Sequence, residues 1–145
     1  MNIGIIGLGI LGKAYKNGFS KWGHKVISYD IKGNFNFKYI LKSKIVFICV
    51  PSPSKKNGEC DTSIVNSVIK KLYKFKYPGI VVIASTVKIG YTKKVIRLYR
   101  NLKICCVPEL LKERSSKKFS IIFIIFFLKF TLRHQNISLH QMLKI

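Results

Sequence analysis

Acidic side chains are scarce in this sequence: 5 Asp and Glu stand against 27 Lys and Arg in 145 residues, a formal net charge of +22 at pH 7. So large an excess raises the question of a nucleic-acid partner. Position answers it better than the total does. The lysines are scattered over helix-like stretches and loops, as at Lys70-Lys71, Lys93-Lys94 and Lys117-Lys118, with no dense basic block and no nucleic-acid module. A general attraction to polyanions is expected, a specific nucleic-acid site is not. Cysteine patterning is equally uninformative of metal or disulfide chemistry, because Cys49, Cys60, Cys105 and Cys106 show neither ligand spacing nor a disulfide framework. Cys49 and Cys105 lie in apolar strand-like runs, which suits reduced, buried thiols. No apolar run approaches the roughly eighteen residues of a bilayer-spanning helix, so no membrane span is expected. The opening residues lack a charged n-region, an apolar h-region and a cleavage site, and a cytoplasmic setting is expected. The length suits one domain with a real core and leaves too little chain for a second of comparable size.

What is present begins at once. An apolar run, Ile3 to Ile6, leads into Gly7-Leu8-Gly9-Ile10-Leu11-Gly12, and Asp30 follows about twenty residues later. In a strand–turn–helix context each glycine serves a separate purpose. Gly7 makes the tight turn, Gly9 lets backbone approach a pyrophosphate, and Gly12 lets the helix pack close to the sheet. The N–H groups that open the helix, from Ile10 and Leu11 onward, would face the phosphates. Leu11, Ala14, Tyr15, Gly18, Phe19 and Trp22 keep an apolar or small face at helical spacing. Gly23 then stands where a helix C-cap wants it, and His24 to Tyr29 reads as a second strand with Asp30 at its end. A carboxylate there accepts from a ribose 2′-hydroxyl and repels a 2′-phosphate, so NAD is expected rather than NADP.

Strands and helices go on alternating. Ile31 to Lys42 is polar and aromatic by turns, with room for a short helix at Phe37 to Leu41. Lys44 to Val50 and Ile80 to Ala84 read as strands buried on both faces. Between them Asp61 can cap a helix carrying Ile64, Val65, Val68, Ile69 and Leu72 on one face. Gly90 and Thr92 precede a shorter helix with Val95, Ile96 and Tyr99 inward, and Leu102 to Val107 makes a fifth strand. The expected fold is α/β, a Rossmann-type doubly wound parallel sheet with helices on both faces. Ligands bind beyond the carboxyl ends of such strands. Here those ends carry the glycine loop, Asp30, Pro51-Ser52-Pro53, Ser85-Thr86 and Pro108-Glu109. Strand ends commonly finish in turn-formers, so Pro51 and Ser52 read equally well as punctuation. Thr86 and Glu109 are not required by turn chemistry and read as functional.

Four segments together resemble the nucleotide-sugar 6-dehydrogenases, the family of UDP-glucose and GDP-mannose dehydrogenases. They are Ile3 to Gly9, Phe47 to Pro53, Ala84 to Val87 with Gly90-Tyr91-Thr92, and Val107 to Arg114, in that family's order and spacing from about Met1 to Ser116. The resemblance implies NAD-dependent oxidation of a sugar C6 alcohol to a carboxylate, through two hydride transfers and a cysteine-bound thioester. It implies that Gly7, Gly9, Gly12 and Asp30 hold NAD, with Ile10 and Leu11 in the same loop, and that Pro51 and Ser52 line its site. Thr86 would stand near the reacting centre. Glu109 would help to activate water, and Glu109, Leu110, Leu111 and Glu113 would bound the pocket of a UDP-sugar substrate. Glu113 reads equally as a solvated helix-end charge beside Arg114.

The family pattern continues through a connecting helix with a lysine and an asparagine, and a domain with the nucleophilic cysteine. Nothing in this sequence matches those parts, and none of the four cysteines has that nucleophile's context. The chain is therefore expected to be incomplete for catalysis alone, either completed by a separate partner or a non-catalytic NAD-binding remnant. A third reading, basic nucleic-acid association, rests on charge only. The expected organisation is an NAD-binding domain over 1–116 and a divergent tail over 117–145. In the tail, Ser120 to Leu128 is almost unbroken apolar. It reads as a degenerate sixth strand, a membrane-associating segment or out-of-register translation, and the abrupt end of the resemblance favours the last.

Overall fold

The computed structural model describes residues 1–107. The expected boundary at 116, the tail over 117–145, and Glu109, Leu110, Leu111 and Glu113 all lie outside the described residues. Within them the elements are β1 (Asn2–Ile6), α1 (Ile10–Lys21), β2 (Lys25–Tyr29), a 3-10 helix (Phe37–Lys42), β3 (Ile45–Ile48), α2 (Ser63–Lys74), β4 (Ile80–Ile83), α3 (Tyr91–Leu98) and β5 (Lys103–Cys106). All five strands are parallel, in the order β2-β1-β3-β4-β5. From β1 the chain steps outward to β2, then returns past β1 to build β3, β4 and β5 on its other side. That reversal lies between β1 and β3, where a parallel sheet opens a crevice at its carboxyl edge.

The uninterrupted apolar runs follow from burial on both faces. Along β3 and β4, Ile45, Phe47, Ile80 and Val82 join the core beneath α1, while Val46, Ile48, Val81 and Ile83 join the core beneath α2 and α3. Every one of these side chains is buried, each contributing about 1.5–3 kcal/mol against exposure. Beneath α1, Tyr15 stands edge-on to Phe47 at 5.3 Å between ring centroids, and Phe19 lies 5.0 Å from the same ring. On the opposite face Val65, Ile69 and Leu72 are the buried residues of α2, at the spacing of one helical stripe.

The helix ends have identifiable chemistry. The N–H of His24 donates to Phe19 O and that of Gly23 to Ser20 O, both at 3.0 Å, which is the Schellman pairing with glycine in its left-handed position. This turn carries Trp22 out of the expected inward stripe and leaves it 44% exposed. The N-cap of α2 is Thr62, which makes no side-chain cap bond, rather than the expected Asp61; Asp61 stands one residue ahead, its Oδ1 accepting from the N–H of Ser63 at 2.9 Å. The short helix after β2 starts where the Asn36 side chain accepts from the N–H of Lys38. Thr92 lies within α3 rather than ahead of it; Val95, Ile96 and Tyr99 pack inward as expected, and so does the buried Tyr91. Its hydroxyl donates to Asn66 Oδ1 at 2.6 Å and joins α3 to α2. At the opposite edge of the sheet, the buried Tyr77 hydroxyl donates to Ser43 O at 2.9 Å, and burial pushes its pKa well above the usual tyrosine range.

Candidate functional site

The carboxyl edge holds a cavity of about 750 Å³. Its walls come from four strand ends that the sheet order brings side by side. β1 delivers the glycine loop, β2 delivers Tyr29 and Asp30, β3 delivers Val50 to Pro53, and β4 delivers Ser85 and Thr86. Of the residues singled out in the sequence, Gly7, Gly9, Ile10, Leu11, Asp30, Pro51, Ser52 and Thr86 line it together. Gly12 does not line it.

Local structure explains these places. Gly7 leaves β1 at φ +93°, and a Cβ there would stand 2.5 Å from the Cys49 carbonyl oxygen, so the turn requires glycine on two counts. A Cβ on Gly12 would strike the carbonyl oxygen of Gly7, and this contact lets α1 start directly against the strand. At Gly9 nothing lies within 4 Å of the Cβ position, and the loop backbone is open to whatever enters the cavity. α1 begins without a side-chain cap and without an acidic residue in its first turn, while its first intrahelical bond runs from Lys13 N to Gly9 O. The N–H groups ahead of Lys13 consequently have no helical acceptor, and the positive end of the helix dipole is unneutralised. Such an end suits an anion.

Asp30 has a structural part as well as the ligand-facing one expected of it. Its Oδ2 accepts from the N–H of Leu8 at 2.6 Å and its Oδ1 from the N–H of Lys32 at 2.9 Å. The carboxylate thus clamps the end of β2 to the middle of the glycine loop. These N–H groups, Lys32 first and Leu8 second, hold its pKa below the ordinary Asp value. Each oxygen keeps a second lone pair for a ligand hydroxyl. A group depressed in this way stabilises the fold fully above its unfolded pKa of about 3.9 and loses that contribution as pH falls through its folded value. Denaturant titration of wild type and Asp30→Asn is expected to show a stability gap at neutral pH that closes in acid below that point.

Between β3 and β4 the edge is fastened by Ser85. Its buried hydroxyl lies 2.7 Å from Val50 O and 3.2 Å from Ile48 O, so its one proton serves the shorter contact. This holds the Pro51-Ser52 turn beside Thr86. Of the thiols, that of Cys49 borders the cavity; none of the four cysteines is in a disulfide, and burial pushes the Cys105 pKa up to about 12 and raises that of Cys106. A thiol held protonated is a poor nucleophile. Among the described residues no group of three His, Cys, Asp or Glu side chains could hold a metal ion, and no helix is long and apolar enough to cross a membrane.

Sequence reasoning missed the far wall. Ile64, Ser67, Val68 and Lys71 of α2 line the cavity opposite Tyr29, Ile31, Lys32 and Phe37. The signal was available in the helical period. Residues 64, 67, 68 and 71 form one stripe of α2, distinct from the core stripe of Val65, Ile69 and Leu72.

A parallel sheet wound in two directions, with a glycine-shaped turn, an uncapped helix start and a clamped carboxylate at its switch point, defines a nucleotide-binding α/β domain of the dinucleotide class. Its family is set by residues 33–118, which match the UDP-glucose/GDP-mannose dehydrogenase family, NAD binding domain. The chain belongs to that family. The matched stretch starts after Asp30, so the glycine loop is evidence separate from it. Among solved structures, the fold is similar to a UDP-glucose dehydrogenase from Pyrobaculum islandicum, with TM-score 0.68, 19% identity, and coverage of 88% of this chain and 43% of that one. It is similar also to a GDP-mannose dehydrogenase from Pseudomonas aeruginosa, with TM-score 0.69, 24% identity, and coverage of 92% and 44%. An uncharacterized protein of Methanocaldococcus jannaschii is 29% identical over 105 residues, which span 68% of this chain and 12% of that protein. The chain thus covers under half the length of each of these proteins.

Proposed function

We propose that this chain is the cofactor-binding part of an NAD-dependent nucleotide-sugar 6-dehydrogenase, and that its 145 residues bind NAD without oxidising a sugar unaided. The observation that carries the reading is the convergence of the glycine loop, the α1 N-terminus and Asp30 on one cavity. The residues fit the cofactor. The open space over Gly9 admits a pyrophosphate to the loop backbone, and the N–H groups from Ile10, Leu11 and Gly12 are free of helical acceptors to receive it. Asp30, pinned by two backbone donors, presents its remaining lone pairs to ribose hydroxyls and its charge against a 2′-phosphate. Pro51 and Ser52 would form the adjoining wall, and Thr86 would stand near the reacting carbon. Bound NAD supplies the acceptor for the hydride leaving a sugar C6 alcohol.

The remaining assignments reach past residue 107. Glu109 would take a proton from the water that hydrolyses a thioester, a role suited to a positioned carboxylate. Leu110, Leu111 and Glu113 would border the UDP-sugar. Both need a thiol nucleophile, to be supplied by a further segment or a partner in the cytoplasm. A second reading, a non-catalytic NAD-binding module, is favoured by the protonated, buried Cys105.

Calorimetric titration of the purified chain with NAD tests the common part. Micromolar binding is expected, and no binding would sink both readings. Incubation with NAD and UDP-glucose, followed at the NADH absorbance, is expected to give no turnover. Sustained NADH production by the chain alone would overturn the claim that it needs a partner.

A further inference from the structure

Lys71 stands out on the cavity wall because its charge has no counterion among the described residues. Its Nζ sits 4.0 Å from the centroid of the Phe37 ring and 5.2 Å from that of Tyr29. Those two rings meet edge to face at 5.0 Å. The ion pair among the described residues joins Lys88 to Glu59, so no carboxylate there holds the Lys71 ammonium. The ring faces hold it instead, and they leave its N–H donors without a strong acceptor.

The surroundings say what kind of group would complete it. Lys71 shares the cavity with Ile31 from the turn after β2 and with Ile64 and Val68 from α2. Ile31 is 86% exposed and Ile64 42% exposed, an apolar pair on either side of an open space. A long ligand whose pyrophosphate rests on the α1 N-terminus and whose ribose meets Asp30 has its base beyond Asp30, at this end. A flat ring with acceptor nitrogens on its edge fits both requirements, covering the isoleucines and meeting the ammonium.

We propose that Lys71 is the base-end anchor of the site, its ammonium engaging the adenine ring while Phe37 and Tyr29 hold the side chain in place as positioning residues. The inference rests on the dinucleotide reading above and adds a recognition residue to it. A lysine whose stem merely covers aromatic surface is the ordinary alternative. The two differ in what they do to separate pieces of the ligand.

Lys71→Met keeps the stem and removes the charge, and the residue's exposure leaves the fold unaffected. NAD, AMP and inorganic pyrophosphate are titrated into wild type and variant. The expected result is a loss of about tenfold in affinity for NAD and AMP, the size of a hydrogen bond from a charged donor, with pyrophosphate unchanged. Equal weakening of all three ligands would make Lys71 a source of general positive potential and overturn the proposal, as would unchanged affinity for AMP. A parallel melting curve guards the comparison, and Lys71→Arg, which keeps charge and ring contact, is expected to restore most of the AMP affinity. Wild type that binds pyrophosphate and NAD with an indifferent Lys71→Met refutes the anchor alone. Wild type that binds none of the three refutes the dinucleotide reading as well.

Discussion

Gly12→Ala is expected to cost about 2 kcal/mol of folding stability, even though alanine is the better helix former. Position 12 lies in the first turn of α1, where exchanging glycine for alanine gains up to about 1 kcal/mol from backbone entropy alone. The new methyl, however, meets the carbonyl oxygen of Gly7. That oxygen belongs to the turn that ends β1, and Gly7 is itself wedged against the Cys49 carbonyl at φ +93°. Neither side can retreat as a flexible side chain would. Overpacking against rigid backbone costs about 1–3 kcal/mol or more, so the clash outweighs the propensity gain. Thermal or urea unfolding of the variant measures the net, and NAD affinity is expected to fall with it because the helix start is displaced. A variant as stable as wild type would mean that α1 can slide along the sheet.

Gly9→Val, three residues earlier, should do the reverse: affinity for NAD falls about a hundredfold while the fold survives. Gly9 has ordinary extended backbone as the N-cap of α1, with φ −67° and ψ −164°, and open space where a side chain would go. Stability therefore changes by no more than the roughly 1 kcal/mol of a poor N-cap residue. The valine side chain fills the space through which a pyrophosphate reaches the loop backbone. A hundredfold loss corresponds to about 2.7 kcal/mol. Titration calorimetry beside a melting curve checks both halves, and unchanged affinity would remove the glycine loop from the site. Together the two glycines separate what holds the loop from what the loop holds.

How much of this can be read from the residues depends on the range of the interaction. The strands are legible because Ile45 to Ile48 and Ile80 to Ile83 have no polar side chain to interrupt them, which only a sheet covered on both faces demands. The alternation with helices then implies a parallel sheet, and its carboxyl edge gathers Gly7, Asp30, Ser52 and Thr86 without further information. Contacts between distant backbones are not legible. Nothing in the sequence says that Asp30 will accept from the N–H of Leu8, twenty-two positions away, or that Tyr91 will reach Asn66. Trp22 departs from expectation for a related reason. Helical period alone puts it inward, while the Schellman turn at Gly23 decides the last residue of the helix. Lys71 escapes a reading of the sequence because charge marks a solvated position by default, and only the aromatic rings across from it show otherwise.

The register of β1 has a consequence for how the chain reaches this structure. Its pairing with β2 is complete by Tyr29, whereas its other neighbour begins at Ile45. Closing the shorter loop is entropically easier, and chain leaving the ribosome offers the N-terminal unit first. β1, α1 and β2, with the Asp30 clamp on Leu8, can therefore make their contacts with one another before β3 exists, while Tyr15 and Phe19 still await Phe47. The glycine loop is the earliest part of the molecule that can be assembled. Until β3 arrives, the inner edge of β1 stands as a row of unpaired peptide groups, so the passage from residue 30 to residue 48 leaves that edge open to mispairing.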